Sequence, residues 1–325
     1  MRDASLAVTI ADVRAAAPRI AGIAWRTPLI RSAWLSEVSG ATVWLKLESV
    51  QHTGSFKIRG AANAILQLRE TRPDVRAVVT ASAGNHGVAL ATAASLLSIR
   101  ARIHLPKTAP ITKRQAIERL GAEVRLSDTY DAAERSGYAD AERSGTVYIS
   151  PYDHPDVIAG AATAALEMFE DQSELDTLIV PLGGGGLLAG AAIVARDRAA
   201  RVTVIGAEAS ASPVFTAALA AGAPTRVAVT DTLADGLAGN MAPKSMTFPL
   251  VRDLVDRVEH IPETSIARAM RELILRDRIV GEGAAATAVG ALLDSGRALE
   301  GRRVGVILSG SNVDAATIEH LFHRR

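Results

Sequence analysis

The sequence predicts an α/β protein in which twisted, mainly parallel sheets are flanked by helices. Two observations carry this reading. Short β-rich apolar runs alternate with longer Ala/Leu-rich helical patterns, the rhythm of strand–helix–strand units. The 325 residues are also 48% hydrophobic but only 4% aromatic, so the core must be built from Ala, Val, Leu and Ile, which suits a buried parallel sheet. This length fits one large domain or two compact ones. No linker, internal repeat or low-complexity segment is visible, so two domains would share a chain that crosses between them.

In chain order, the opening MRDASLAVTIADVRAAAPRI carries acids and no uninterrupted apolar core, and reads as a first helix rather than a signal peptide. Strands are predicted at 43–47, 77–81, 101–105, 123–126, 146–149, 177–182, 202–207, 257–261 and 304–308. Helices are predicted at 58–70, 88–97, 112–120, 155–170, 187–196, 263–276 and 284–293. The longest apolar stretches are broken by Gly or by charge before they could span a bilayer, so a soluble cytoplasmic protein is expected. The net charge is +1 with both signs mixed, without a basic stripe or aromatic platform, which argues against nucleic acid as a partner. There is no cysteine, which excludes disulfides, thiolate catalysis and cysteine-bound metal.

Four loops are chemically unusual: GSFKIRGA (54–61), SAGNHG (82–87), GGGG (183–186) and SGSN (309–312). Three follow a predicted strand directly, and Lys57 lies a loop's length beyond another. Ligands of open parallel sheets bind at the carboxyl ends of strands, so one shared cleft is expected.

Gly183, Gly184, Gly185 and Gly186 stand between a predicted strand and a predicted helix. Four glycines cost backbone entropy, but they let backbone N–H groups converge on an anion at the positive end of the helix. A phosphate is the natural guest. The loop lacks the Lys-Ser/Thr of a nucleotide P-loop and the spacing of a dinucleotide fingerprint. The alternative is a tight turn with close helix packing. Lys57 sits at a predicted helix start between Phe56 and Ile58, with Arg59 near. An apolar setting, a helix N-terminus and a neighbouring cation each depress a lysine pKa and free the amine to attack an aldehyde. The alternative is an ordinary surface lysine.

SFKIRGA, SAGNHG, PLGGGGLLAG and a terminal SGSN, in that order, resemble the fold type II pyridoxal phosphate enzymes. Within them the chain is similar to the threonine/serine dehydratase branch, which includes serine racemases and hydroxy-amino-acid ammonia-lyases. The likeness runs from about Thr27 to Asp314. It implies a tryptophan synthase β-like architecture of two α/β domains: a large cofactor-binding domain from 1–75 and 151–325, and a small mobile domain from 76–150. It also implies a homodimer.

The resemblance implies that Lys57 is the Schiff-base lysine, that Phe56 packs beside the cofactor ring, and that Asn85 hydrogen-bonds the ring's 3'-oxygen. Ser82, Ala83, Gly84, Asn85 and His86 match the loop that holds the substrate carboxylate. Gly183, Gly184, Gly185, Gly186 and Leu187 match the phosphate cup, and Ser309 the serine facing the pyridine nitrogen. Each has a plainer alternative: Asn85 as a turn residue at positive φ, His86 as a packed or capping histidine, Ser309 as a cap of the last helix. A neutral hydroxyl opposite the pyridine nitrogen leaves a weaker electron sink than a carboxylate would, which favours elimination over transamination.

Three departures from relatives sharpen the expectation. Serine racemases carry a second serine where this chain has Ala83, and a methyl group cannot act as the second acid/base. Relatives with a divalent cation use a glutamate, a carbonyl and an aspartate; Glu208 and Ser212 match the first two, but Val214 replaces the third, which weakens a hard-cation site. The alternative for Glu208 is a solvated or helix-capping role. Glu282 matches an acid near the cleft, although Gly283 and Ala284 replace the usual proline-threonine. The pocket segment 235–240 is rich in Ala and Gly and leaves room for side chains larger than that of threonine, such as those of hydroxyaspartate, phenylserine or hydroxyectoine-derived substrates. Only a short tail follows Asp314, so no C-terminal regulatory domain is expected.

The expected activity is therefore a dehydratase/ammonia-lyase. Lys57 takes the Cα proton of a β-hydroxy amino acid, the β-hydroxyl leaves as water with a proton that the cofactor phosphate could supply, and the released aminoacrylate is hydrolysed to a 2-oxo acid and ammonia. An amino-acid racemase (disfavoured by Ala83), a β-replacement synthase and a non-catalytic cofactor-binding protein are the alternatives.

Overall fold

The structure, a computed structural model, describes residues 7–109, 111–143 and 145–323. Its strands are β1 (Leu29–Ser32), β2 (Thr42–Leu47), β3 (Ala77–Ala81), β4 (Arg100–Pro106), β5 (Glu123–Ser127), β6 (Thr146–Tyr148), β7 (Thr177–Leu182), β8 (Thr203–Ala209), β9 (Arg257–Ile261) and β10 (Arg303–Leu308). The helices are α1 (Ile10–Ile20), α2 (Ala33–Ser39), α3 (Lys57–Thr71), α4 (Asn85–Leu96), α5 (Ile111–Arg119), α6 (Tyr130–Ala141), α7 (Pro155–Asp171), α8 (Gly186–Arg196), α9 (Val214–Ala221), α10 (Thr247–Leu254), α11 (Glu263–Glu272), α12 (Gly283–Asp294) and α13 (Ala315–His323).

Two sheets form. Six strands run in the order β1-β2-β10-β7-β8-β9, and four in the order β5-β4-β3-β6. Every pairing is parallel except β1 with β2. The sequence reading placed no strand before residue 43. Its four-residue β1 escapes a periodicity test because Arg31 interrupts the apolar run and the strand borders a helix at once. The central strand β7 is buried throughout and serves both faces of its sheet. Leu178, Val180 and Leu182 join a core with α1, α7 and α8, while Ile179 joins one with α11 and α12. A third core sits between α3, α4 and the small sheet.

The helix α3 that carries Lys57 is clamped against α7 by two glycines. A Cβ on Gly60 would lie 2.7 Å from the Val157 carbonyl oxygen, and one on Gly160 would lie 2.4 Å from that of Arg59. Backbone therefore meets backbone at this crossing, and the first turn of α3 is held at a fixed height. Beneath it, Arg59 is buried and bridges Glu48 and Glu167, with Lys46 also bonded to Glu167. Predicted helix 263–276 is divided: α11 ends at Glu272, a π turn spans Leu273–Asp277, and Arg278 adopts φ 63°.

Candidate active site

Strands β2, β10 and β7 are parallel neighbours, so the segments leaving their carboxyl ends share one edge of the large sheet. They lead to Lys57, to Ser309–Asn312 and to the glycine loop. The fourth loop, from β3, reaches the same place from the small sheet. Asn85 donates from Nδ2 to Glu282 Oε1 (2.8 Å), and its Oδ1 accepts from Asn312 Nδ2 (2.8 Å). The four loops expected to share a cleft are thus together.

Lys57 opens α3, as expected. It lies partly buried in the cleft with Nζ donating to the Pro151 carbonyl (2.7 Å) and 5.0 Å from the centre of the Phe56 ring. Burial lowers its pKa to about 8, against an opposing pull from the Glu282 carboxylate. One expected cause is corrected: Arg59 points away into Glu48 and Glu167 and takes no part in this depression. Phe56 N–H donates to the Ser309 carbonyl (3.0 Å), which ties the lysine loop to the end of β10.

Helix α4 begins at Asn85, three residues earlier than periodicity predicts, so Ser82, Ala83 and Gly84 lead straight into a helix N-terminus. Asn85 does not have positive φ; among the described non-glycine residues only Ser98 and Arg278 do. His86 is packed, 2% exposed, with Nε2 against the Ile149 carbonyl (3.2 Å). A carbonyl can only accept, so Nε2 carries the proton, and burial drives the ring pKa down to about 3. The imidazole is neutral, and the nearby Lys57 ammonium adds to the effect of burial.

Close packing accounts for the composition of the glycine loop. Added Cβ atoms would meet Leu237 Cα at 2.9 Å from Gly183, the Tyr152 ring at 2.3 Å from Gly184, Phe215 at 2.5 Å from Gly185, and the Tyr152 carbonyl at 2.8 Å from Gly186. Packing therefore demands these glycines. Yet among the described residues no group accepts from the backbone amides of 183–187, at the start of α8. Unpartnered amides at a helix N-terminus are able to receive an anion.

Ser309 is 3% exposed and does not cap the last helix; Asp314 does, accepting from Thr317 N (2.7 Å). Glu208 accepts from Phe215 N (2.6 Å), Thr216 N (3.1 Å) and Thr216 Oγ1 (2.9 Å), and so serves the first turn of α9. The Ser212 carbonyl accepts from Val214 N (2.9 Å). No group of three or more His, Cys, Asp or Glu able to hold a metal occurs among the described residues. Sequence reasoning did not single out Pro151 or Tyr152. Pro151 contributes only a carbonyl, which no side-chain pattern announces; Asn312 lay inside a quoted motif without a role.

A desolvated lysine amine and an anion cup on one edge of a parallel sheet are the arrangement of a lysine-dependent α/β enzyme acting with a phosphorylated carbonyl compound. The profile of the family described as "Pyridoxal-phosphate dependent enzyme" matches residues 20–310, and the chain belongs to that family. It is similar to an L-threonine ammonia-lyase of Thermotoga maritima (38% identity over 98% of this chain and 79% of the relative). It is also similar to an L-threo-3-hydroxyaspartate ammonia-lyase of Saccharomyces cerevisiae (36% identity over 94% of both chains). Among solved structures, maize serine racemase superposes with a TM-score of 0.90 at 34% identity, covering 97% of this chain and 96% of that one. The residues fit the cofactor: the free amides of 183–187 suit its phosphate, and the lysine amine suits its aldehyde.

Proposed function

We propose that the protein eliminates water from a β-hydroxy amino acid to give a 2-oxo acid and ammonia. The observation that carries this is Lys57: a desolvated amine, with pKa about 8, whose Nζ lies 2.7 Å from the Pro151 carbonyl, in a chain whose 82–86 loop has a methyl group at position 83. When bound, pyridoxal phosphate supplies an electron sink for the pair released at Cα.

The chain's own residues do the rest. Lys57 Nζ takes the Cα proton, and the Pro151 carbonyl at 2.7 Å keeps the amine oriented. The start of α4 and its leading residues Ser82–Gly84 bind the carboxylate through amides and the helix dipole. Gly183–Leu187 would hold the phosphate, Asn85 would serve the ring's 3'-oxygen, and Ser309 would serve the pyridine nitrogen without a charge to keep it protonated. Residues 76–150, which contain the whole four-stranded sheet, act as the smaller domain and close on the substrate to exclude water. The proposed working form is a homodimer in the cytoplasm.

Incubation with L-threonine, L-serine, threo-3-hydroxyaspartate and phenylserine, followed by assay of 2-oxo acid and ammonia, tests the proposal. A cofactor-loaded protein that forms neither product from any of the four overturns it. Appearance of the D-amino acid without oxo acid selects the racemase reading instead.

A further inference from the structure

Glu282 is the residue immediately before α12, a position from which a polar side chain ordinarily caps its own helix. It does not: its side chain makes no capping bond, and it is only 5% exposed. A buried carboxylate with no duty to its own helix needs another explanation, because burial of a charge is costly unless it is bonded.

Its bonds all lead to the cofactor side of the cleft. Oε1 accepts from Asn85 Nδ2 (2.8 Å), and Oε2 accepts from the Asn312 backbone N–H (3.0 Å). Asn312 Nδ2 in turn donates to Asn85 Oδ1 (2.8 Å) and to the Thr53 carbonyl (3.0 Å). The direction of this chain is fixed at both ends. The Thr53 carbonyl can only accept, so Asn312 must present its amino group there, and Asn85 must receive with its oxygen. An ionised Glu282 can also only accept, so Asn85 must turn its amino group that way. One N–H of Asn85 remains for another acceptor.

The backbone is shaped to admit this network. A Cβ at Gly310 would lie 2.6 Å from Glu282 Oε1, and one at Gly54, which has φ +70°, would lie 2.3 Å from Asn312 Oδ1. Larger residues at either place would push the network apart.

We infer that Glu282 is a proton-responsive positioning residue, whose ionised form fixes the Asn85 amide toward the cofactor ring and whose protonated form releases it. The inference rests on the reading of Asn85 as the partner of the ring's 3'-oxygen. The reason is electrostatic: each Glu282 oxygen accepts one N–H, and a proton on either removes the charge that strengthens both bonds and makes that oxygen a donor, which weakens its hold on the Asn85 amide. The groups that face Glu282 bring this change near neutrality. Burial and the Asp235 carboxylate on the 3-10 turn Asp235–Leu237 raise its pKa to about 7, while Asn85, the Asn312 amide and Lys113 on α5 pull the other way, and Lys57 on α3 is electrostatically coupled to it.

The test is the visible spectrum of the lysine-bound cofactor in the intact holoenzyme, titrated from about pH 5.5 to about pH 8.5. The expected result is a change in the ratio of its absorption bands of about twofold or more, centred near neutrality. Glu282→Gln should hold the ratio at the wild-type low-pH value throughout, since a glutamine amide also places a donor against one N–H. A flat wild-type ratio overturns the inference, as does a Glu282→Gln holoenzyme that retains the transition. Should Glu282→Gln take up no cofactor, Glu282→Asp decides: a displaced midpoint supports the inference and an unchanged one overturns it. Lys57→Ala separates the two levels. If that variant keeps the lysine-bound spectrum, the reading of the site itself fails; if it loses the spectrum, only the Glu282 titrations bear on the inference.

Discussion

Lys57 Nζ donates to the carbonyl of Pro151, 94 residues further along the chain, at 2.7 Å. That contact links the first turn of α3 to the crossover between the small sheet and α7, and it gives a depressed lysine a fixed direction. Lys57→Ala is expected to abolish the visible absorption of the bound cofactor and to lower the elimination rate by about a hundredfold to ten-thousandfold, the range of a general base. Absorption spectroscopy and a 2-oxo acid assay check both.

The same lysine sets a pH dependence in the cofactor-free chain. With a pKa near 8, the neutral fraction of its amine rises as pH rises through that value and levels off above it. The rate at which Lys57 captures pyridoxal phosphate should follow that curve, whereas a lysine at its ordinary 10.5 would still be gaining reactivity well above it. Stopped-flow absorbance distinguishes them.

At Gly184 an added methyl would sit 2.3 Å from the Tyr152 ring, and the ring is held by the Ala242 N–H on its hydroxyl (3.0 Å). Gly184→Ala should therefore distort the amide cup and weaken pyridoxal phosphate binding by about tenfold or more, ~1.4 kcal/mol. Equilibrium titration of the cofactor measures this. An unchanged affinity would show that 183–187 do not hold the phosphate.

In the proposed function, Ala83 stands where an acid/base would be needed for reprotonation from the second face, and it has only a methyl group. The wild-type protein should release no D-amino acid from an L-substrate, while Ala83→Ser should release a detectable amount with elimination retained. Chiral chromatography of the products reads the outcome.

Buried Glu48 illustrates a stability effect outside the chemistry. Its burial opposes ionisation, but the Arg59 guanidinium overcomes this and holds the carboxyl below its ordinary 4.5. A depressed carboxyl contributes stability that is present above 4.5 and is lost as pH falls through the lower folded value, so this cluster favours unfolding only in acid. Arg59→Met leaves Glu48 without its guanidinium and should cost about 3–5 kcal/mol at neutral pH. Chemical denaturation at pH 7 measures it, and a loss below about 1 kcal/mol would show that Lys46 compensates.

The strands of both sheets, except β1, were legible because their apolar runs are bounded by Gly, Pro or charge. The helices α3, α7, α8 and α12 were legible from their Ala-rich periodicity. The helices that escaped, such as α6 and α9, are short or mixed in composition. Helix α6 depends on the Thr129 cap (3.1 Å to Ala132 N), and α9 on Glu208, which lies on a different element. A cap supplied from a neighbouring strand leaves no local pattern.

What the sequence determined by itself is the chemical inventory: a lysine at a helix start, a run of glycines before another helix, and a methyl rather than a hydroxyl at position 83. These are local, because a residue type and its neighbours in the chain fix them. Only the tertiary structure decided that Arg59 belongs to Glu48 and Glu167 rather than to Lys57, that Glu208 serves α9, and that Glu282 reaches Asn85. Each of those outcomes depends on which groups are brought within hydrogen-bond reach across 7 to 197 residues of chain. Burial then sets the strength of the interaction, and burial is a property of the packed molecule rather than of any segment in it.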